Sequence, residues 1–367
     1  MLSLALFAVL ARPEIHSDHR FLPHYNAEAD QQFKSMAEWP DSRAVASNPD
    51  EKHISNVRQL TFGGQNAEAY WSKDGQSIVY QSLQPGFPDE QIFLMNADGS
   101  GKHLISTGKG RCTCSYLSPD NKYVYFSSTF AKNEGAQKKL DRSKGYVWMV
   151  NPEFALYRKN LKTGVLETVL SSNSYIAETT VDPNGKYITF TSDKDGDLEV
   201  YRADLNGKNI KRLTNEQGYD GGPFVSWDGK KIVWRRDLIE SEEERKDYTA
   251  LLQEHMVRPS KLEIWMMDAN GKNQKQITTL KAASFAPFLH PNGKQIIFCS
   301  NFGDPKGREF DLFLVNTDGT GMERVTTTPD FDGFPMFSRD GKKIVFASNR
   351  YGSVPGETNI FVADWKD

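Results

Sequence analysis

The chain repeats one short pattern six times, and this repetition limits its fold more than any other feature of the sequence. Each copy has a short apolar run, a tight Asp-Gly, Asn-Gly or Asp-Asn turn, and a second run rich in β-branched or aromatic residues. Such a turn between two such runs is a strong signal for a β-hairpin, because Gly and Asn tolerate the positive φ that the turn needs. The six copies lie at residues 69–82, 115–128, 179–192, 223–234, 287–298 and 334–348.

Two more runs follow each hairpin. A third apolar run, such as residues 311–315, leads through a second tight turn into a fourth run that ends in Leu-Thr or a close relative. Four antiparallel strands per repeat are typical of a propeller blade. Fourth runs are found at residues 57–61, 103–107, 166–170, 210–214, 274–278 and 323–326.

The order of the runs predicts how the ring closes. The fourth run at residues 57–61 precedes the first hairpin, and the last unit stops at residues 359–363 without a fourth run. We therefore expect residues 57–61 to complete the last blade, so that no blade edge stays open. The prediction is an all-β, six-bladed β-propeller of four-stranded antiparallel blades at residues 53–367, after an N-terminal extension at residues 12–52.

Charge and hydropathy bear on partners and location. The chain has 45 Lys and Arg against 48 Asp and Glu, a net charge of −3, which argues against nucleic-acid binding. No apolar run is long enough to span a bilayer. Residues 1–11 have the length of the apolar part of a signal peptide but lack its basic start, so we read them as a signal-peptide remnant. We expect an exported, periplasmic monomer; without such a signal the protein would be cytoplasmic.

The connections between second and third strands carry every insertion, and they share one rim of the ring. The larger insertions are residues 129–154 and 237–260, with a charged amphipathic helix expected around residues 240–256. Loops on a rigid scaffold often carry function, so this long-loop rim is the predicted functional face. The alternative is that the insertions are neutral surface elaborations.

Several polar and aromatic residues are predicted near this rim and the mouth of the central channel. Glu68 and Glu178 occupy equivalent positions in the innermost strands. Arg can grip a carboxylate with two hydrogen bonds, and aromatic rings offer rigid contact area. The set fits a pocket for an anionic ligand or a peptide end, and it fits ion pairs between blades equally well. The predicted ligand-binding residues are Glu68, Arg111, Arg142, Tyr146, Trp148, Tyr157, Glu178, Arg235, Arg236, Arg258, Arg308 and Glu309.

Signals for catalysis and metals are weak. The sequence has neither a Gly-x-Ser-x-Gly nucleophile elbow nor a phosphate-binding loop, and its His residues are scattered. Asp193, Asp195 and Asp197 offer the oxygen ligands that calcium prefers, although a tight turn explains them more simply. We therefore predict no cofactor other than this calcium candidate. Cys112 and Cys114 are expected to face the same way on one strand, and an odd count of three cysteines does not indicate a disulfide framework.

The repeats resemble the PD40 repeat, the WD40-like repeat of the TolB propeller. Trp-Ser-Lys-Asp-Gly at residues 71–75, Ser-Arg-Asp-Gly at 338–341 and Ile-Lys-Arg-Leu-Thr at 210–214 carry the resemblance, which covers residues 53–367. It implies a periplasmic protein-interaction platform of the Tol envelope system, although TolB proteins have an α/β domain where this chain has residues 1–52. Similar propellers are appended to prolyl-oligopeptidase-like and tricorn-like proteases.

These observations predict a non-enzymatic, exported scaffold that binds a protein or peptide through its long-loop rim. The alternative is a small-ligand binder, or an enzyme of the hydrolase or lyase type, with a polar site at the channel mouth.

Overall fold

The computed structural model describes residues 40–138, 142–304, 306–329 and 331–367, without the side chain of Arg142. The signal-peptide remnant at residues 1–11 and the first part of the extension, residues 12–39, lie outside the described residues.

Six antiparallel sheets, each with four blade strands, form the described ring, as predicted. Two strands precede the first complete blade: β1 (Arg43–Ala44) and β2 (Ile54–Gln59). Blade 1 contains β3 (Gln65–Trp71), β4 (Ser77–Leu83), β5 (Gln91–Asn96) and β6 (His103–Leu104). Blade 2 contains β7 (Cys112–Leu117), β8 (Tyr123–Ser128), β10 (Ala155–Asn160) and β11 (Leu166–Leu170). Blade 3 contains β12 (Ile176–Val181), β13 (Ile188–Ser192), β14 (Glu199–Ala203) and β15 (Lys211–Arg212).

The second half of the ring repeats the arrangement. Blade 4 contains β16 (Asp220–Val225), β17 (Lys231–Asp237), β19 (Leu262–Asp268) and β20 (Lys275–Gln276). Blade 5 contains β21 (Ser284–Leu289), β22 (Gln295–Ser300), β23 (Asp311–Asn316) and β24 (Glu323–Arg324). Blade 6 contains β25 (Asp332–Phe337), β26 (Lys343–Ser348) and β27 (Asn359–Trp365), followed by β2 and β1. The remaining elements, β9 (Trp148–Met149), β18 (Met256–Val257) and helix α1 (Glu242–Gln253), belong to the insertions.

The repeated Ser-x-Asp-Gly sequence closes the first hairpin of a blade through its own side chains. In blade 1, Ser72 Oγ donates to Asp74 Oδ1 at 2.6 Å and accepts from the backbone N–H of Ser77 at 2.9 Å. Gly75 then takes the positive φ of the turn. The same pair of bonds recurs from Ser118, Ser226 and Ser338. The sequence repeat is therefore a repeat of turn chemistry.

The Leu-Thr ending of the fourth strand also has a structural role. Most fourth strands pair through two residues, so the third strand would leave a backbone N–H group without an acceptor. The Thr hydroxyl supplies it: Thr214 Oγ1 accepts from the N–H of Val200, and Thr326 Oγ1 from that of Leu312, both at 2.9 Å. Thr61, near the start of the described chain, makes the equivalent bond to Ile360 at 2.8 Å.

The ring closes as predicted, between the two ends of the described chain. β2 pairs antiparallel with β27, with Arg58 opposite Val362 and Gln59 opposite Phe361. The strand begins earlier than the predicted residues 57–61, and the backbone bond from Leu60 to Ile360 continues the pairing beyond its end. β1 then pairs with β2 as a fifth strand.

A buried ion-pair network secures this closure. The guanidinium of Arg350 in blade 6 donates to both carboxylate oxygens of Glu51, at 2.9 and 3.1 Å, and to both of Asp332, at 3.0 and 3.1 Å. Glu51 also accepts from the backbone N–H of Thr327. Because Glu51 lies just before β2, the network ties that segment to blades 5 and 6.

All six innermost strands share a break in register at the same place. The pairing with the second strand shifts at this point in every blade. One residue there has a positive φ of 50 to 60°: Glu68, Cys114, Glu178, Gly222, Ala286 and Phe334. The break corrects the expectation that Cys112 and Cys114 face the same way. Because the strand is irregular between them, the two side chains have different neighbours. Cys112 Sγ contacts Ser128 at 3.2 Å, whereas Cys114 Sγ lies beside Thr113.

Several buried carboxyls of the ring have raised pKa values. Burial, with the nearby Asp220 carboxylate, raises the pKa of Glu199 to about 7. Burial and Asp332 do the same for Asp311, and burial and Glu244 for Asp237, each to about 7. The folded protein therefore keeps protons on these carboxyls at pH values where the unfolded chain has already released them. As a result, the free energy of unfolding falls as the pH rises towards these raised pKa values.

Replacing Arg350 by Ala should lower the free energy of unfolding by about 3–5 kcal/mol, because two buried carboxylates lose their cation. Arg339→Ala, which changes an exposed residue of the same blade, should cost less than about 1 kcal/mol. Urea unfolding near pH 7 measures both. Equal losses in the two variants would show that the network does not secure the closure.

Replacing Asp237 by Asn should remove part of the pH dependence of stability. Between about pH 5 and pH 8 the wild type should lose about 1–3 kcal/mol of unfolding free energy relative to the variant, since only the wild type must ionise this buried carboxyl. Urea unfolding across this pH range is the measurement, and Asp50→Asn, at an exposed position, is the control. Parallel pH profiles for wild type and Asp237→Asn would contradict the assignment.

Candidate functional site

The two large insertions lie on the same face of the ring and pair with each other. β9, from blade 2, is antiparallel to β18, from blade 4, with Met149 opposite Met256 and Trp148 opposite Val257. The backbone N–H of Val150 also donates to the carbonyl of His255 at 2.8 Å. We call the described parts of the two insertions, residues 129–138, 142–154 and 238–261, the cap.

Helix α1 forms the blade 4 side of the cap. It is shorter than the expected residues 240–256, and it begins at a capping box in which Ser241 and Glu244 bond to each other's backbone N–H groups. Its buried Tyr248 donates a hydrogen bond to Asp197 of blade 3.

No helix among the described residues is long and apolar enough to cross a bilayer.

An ion pair and a hydrogen bond join the two halves of the cap. Lys144 Nζ lies 2.5 Å from Glu254 Oε1, at the end of α1. Arg258 Nε donates to Asp247 at 2.9 Å, and its Nη1 donates to the backbone carbonyl of Lys144 at 2.9 Å. The insertions therefore form one connected layer.

Trp148 is the cap residue that packs against the channel mouth. Its indole is 3% exposed and meets the rings of Tyr219 and Phe285 edge to face, with centroids 6.3 and 5.5 Å apart. Its Nε1–H donates to the hydroxyl of Tyr146 at 3.1 Å. The guanidinium of Arg235 lies over both Trp148 and Tyr219, 5.4 and 4.5 Å from the ring centres.

Beneath Trp148, Glu178 and Arg235 form a buried ion pair. Arg235 Nη2 lies 2.6 Å from Glu178 Oε1, and that oxygen also accepts from the hydroxyl of Tyr219 at 2.6 Å. Glu178 Oε2 accepts from the backbone N–H of Gly222 at 2.8 Å. A carboxylate with these partners is held firmly in one orientation.

The Gly-Gly sequence at residues 221–222 makes room for this ion pair. A Cβ atom on Gly222 would lie 2.1 Å from Arg235 Nη1, and one on Gly221 would lie 2.7 Å from Glu178 Oε2. Gly222 also has a positive φ of 60°. A side chain at Gly222 would therefore displace the guanidinium of Arg235 from the ion pair.

An aromatic cluster spans the channel on the short-turn side. Tyr70 of blade 1 and Phe224 of blade 4, which face each other across the ring, have ring centroids 5.2 Å apart. Tyr116 and Phe288 pack against them at 5.9 and 5.8 Å. The polar mouth residues therefore lie between this cluster and the cap.

The structure brings together only some of the predicted ligand-binding residues. Glu178, Arg235, Trp148 and Tyr146 meet at the mouth, as described above, and the half-buried Glu68 occupies the equivalent inner position of blade 1. The side chain of Arg142 lies outside the described residues. Whether these residues bind a ligand stays a prediction.

The other predicted residues lie in separate places. Arg111 is buried 3.3 Å from Glu90, at the interface between blades 1 and 2, whereas Arg236 is bonded at 2.7 and 2.9 Å to Asp220, its cross-strand partner within blade 4. Tyr157 of blade 2 packs on Phe130 of the blade 2 insertion, with 4.6 Å between the ring centroids. Arg258 belongs to the cap. Arg308 and Glu309 lie in the blade 5 loop, where Glu309 accepts from Arg324 at 2.6 Å.

The three aspartates of the calcium candidate have separate partners. Asp193 accepts from the backbone N–H of Tyr175, Asp195 pairs with Lys194, and Asp197 accepts from the backbone N–H of Gly218. Across the residues that the structure describes, no group of three or more His, Cys, Asp or Glu side chains is arranged to hold a metal ion. The calcium hypothesis stays untested.

Sequence reasoning missed two tyrosines at the mouth. Tyr219 bonds to Glu178, and the hydroxyl of Tyr175 lies 3.5 Å from the same carboxylate. Each stands three positions before the inner residue of its blade, Glu178 or Gly222. Aligning the repeats beyond the hairpin motif could have revealed this shared position.

No family model matches the sequence. A TolB homologue of Chlorobium chlorochromatii is 26% identical over 188 residues, which are 49% of this chain and 37% of that protein. The Tol-Pal system protein TolB of Francisella tularensis is 29% identical over 168 residues, 45% of this chain and 33% of that protein. The match thus spans about a third of the length of these curated relatives.

Solved structures show the same fold. The putative TolB of Agrobacterium tumefaciens gives a TM-score of 0.54 at 18% identity and covers 83% of this chain and 91% of that one. TolB of Acinetobacter baumannii gives 0.52 at 19%, covering 83% and 64%. An oligogalacturonate lyase in complex with manganese gives 0.50 at 13%, covering 89% and 96%. The chain is therefore a six-bladed β-propeller with a TolB-like fold.

Proposed function

We propose that this protein is a non-enzymatic scaffold, exported to the periplasm, that binds a protein or peptide through the capped face of its propeller. We propose further that it acts as a monomer. The face consists of the cap and the neighbouring second-to-third-strand loops.

The cap is the observation that carries this proposal. On the opposite face the strands are joined by short turns, which hold themselves closed with the Ser and Asp side chains described above. On the capped face, two distant insertions are joined by a strand pair, by the ion pair of Lys144 with Glu254, and by the hydrogen bond from Arg258 to the carbonyl of Lys144. A preorganised surface of this kind reduces the ordering entropy lost on binding.

The comparisons support a binding role without identifying a partner. The relatives are named as TolB proteins, one of them as part of the Tol-Pal system. Export rests on the apolar residues 1–11 and on the resemblance of the repeats to those of TolB.

The geometry of the mouth favours the scaffold over an enzyme. Glu178 and Arg235 bond to each other, and the side chains of both are more than nine-tenths buried beneath the cap. A carboxylate in a firm ion pair is a poor general base, because its partner stabilises the ionised form. The pair therefore fits a role in holding the inner strands and the cap together.

Site-specific photocrosslinking can test the proposal. A benzophenone amino acid would be placed at Ala250 or Gln253, exposed on the cap, and at Asn292 or Asp318, exposed in turns of the opposite face. In cells of the source organism, the cap positions should crosslink to one recurring partner and the turn positions should not. Equal crosslinking from both faces, or none from the cap, would contradict the proposal.

A further inference from the structure

We propose that a cavity within the cap is a binding site for the cationic side chain, lysine or arginine, of an extended peptide. The inference rests on the proposed function and deepens it by assigning the chemistry of the partner's anchor residue. The cavity has a volume of about 430 Å³, within the range of about 300–1,000 Å³ found for small-ligand pockets.

The cavity lies between the two insertions and apart from the channel mouth. The blade 2 insertion contributes Gln137, Asn151 and Glu153, and the end of α1 with the following turn contributes Glu254, His255 and Met256. Glu178, Arg235 and Trp148 do not line it. Both insertions are needed to form it.

The carboxylate of Glu153 lines the cavity and is held in place by hydrogen bonds. Glu153 Oε2 accepts from the amide of Asn151 at 3.2 Å and from that of Asn133 at 3.4 Å. Asn151 Oδ1 in turn accepts from the backbone N–H of Glu153 at 2.8 Å. Within the described part of the chain, Glu153 Oε1 receives no hydrogen bond, so this oxygen can accept one from a ligand.

Buried amides hold this carboxylate in place. Asn151 and Gln137 are 7% and 6% exposed, and the amide of Asn151 donates to the side-chain oxygen of Gln137. Gln137 donates from its backbone N–H to Asp89 at 3.2 Å and from its side chain to Thr129 at 3.1 Å. A carboxylate in such a frame is set for a charge-assisted hydrogen bond from an ammonium or guanidinium group.

Two of the neighbouring lysines bond to partners other than Glu153. Lys144 pairs with Glu254 at 2.5 Å, which also neutralises the second carboxylate of the cavity. Lys132 donates to the backbone carbonyls of Pro152 and Ser172, at 2.9 and 2.5 Å. Lys138 lines the exposed edge, where its ammonium can bind carbonyl oxygens of the peptide backbone.

Apolar groups supply the rest of the wall. Met149, Pro152 and Met256 line the cavity, and thioether side chains adapt readily to the shape of a ligand. Lysine and arginine carry long methylene stems that pack on apolar surface while the charged head reaches a polar partner. In this cavity the methylene stem of the ligand would pack against the two methionines, and its charged head would bond to Glu153.

The methionines provide the test, because their methyl groups can be labelled with carbon-13 and followed by NMR in the full chain. N-acetyl-arginine amide and N-acetyl-lysine amide should shift the methyl signals of Met149 and Met256, assigned by Met→Leu substitutions. The uncharged N-acetyl-norleucine amide should bind at least about tenfold more weakly. Glu153→Gln should weaken binding of the cationic amides by a similar factor, and Glu153→Asp, which keeps the charge, by less.

Glu134→Gln is the matched control, because Glu134 is an exposed carboxylate of the same insertion that pairs with Lys109 and does not line the cavity. It should bind like the wild type. An absent response of both methionines, an equal response to norleucine amide, or undiminished binding in a folded Glu153→Gln variant would each overturn the inference. Crosslinking from the cap without any methionine response would remove the lysine or arginine anchor and leave the proposed function in place.

Discussion

The pairing of β2 with β27 is the interaction on which the whole ring depends. Each blade covers one face of the next, so an open ring would expose a blade face and a strand edge to water. β2 completes blade 6, and Thr61 repeats there the hydroxyl-to-backbone bond that Thr214 and Thr326 make inside continuous blades. Arg350, between Glu51 and Asp332, holds the approach to β2 in a buried site. The closure thus uses the same bonds as the rest of the ring, plus one ion-pair network.

The break in register of the innermost strands links this ring to the candidate site. Glu178 and Gly222 both have a positive φ at this break. At the mouth, the carboxylate of Glu178 bonds to the backbone of Gly222 and pairs with Arg235. Because the break recurs in all six blades, each strand presents one residue at the same level. The side chains at that level differ, with two carboxylates in six positions, so one backbone feature supports a different chemistry in each blade.

The sequence was sufficient to predict the fold, because bonds between residues close together in the chain specify its hairpins. Residues such as Ser72 and Asp74 bond within a few positions of each other, this chemistry recurs in four of the six hairpins, and the other two have Pro-Asn-Gly turns. The closure could be predicted by counting strands, since a missing fourth strand at one end matched an extra one at the other. Contacts between distant segments were harder to predict. Neither Trp148 against Phe285 nor Met149 opposite Met256 has a signal in the chain, because such pairs depend on how two insertions fold onto each other. Arg111 and Arg236 were expected at the rim for their chemistry, and the structure pairs Arg111 with a carboxylate of the neighbouring blade and Arg236 with one of its own blade.

The cap gives the propeller a distinct face, and the ring beneath it is closed by β2. Amide hydrogen exchange tests that closure most directly. If β2 completes blade 6, the backbone N–H of Leu60, which donates to Ile360 at 2.8 Å, should exchange as slowly as the paired amides of β26 and β27. Exchange of Leu60 at the rate of an unstructured peptide, while β26 and β27 stay protected, would show that the ring is open and would contradict the account.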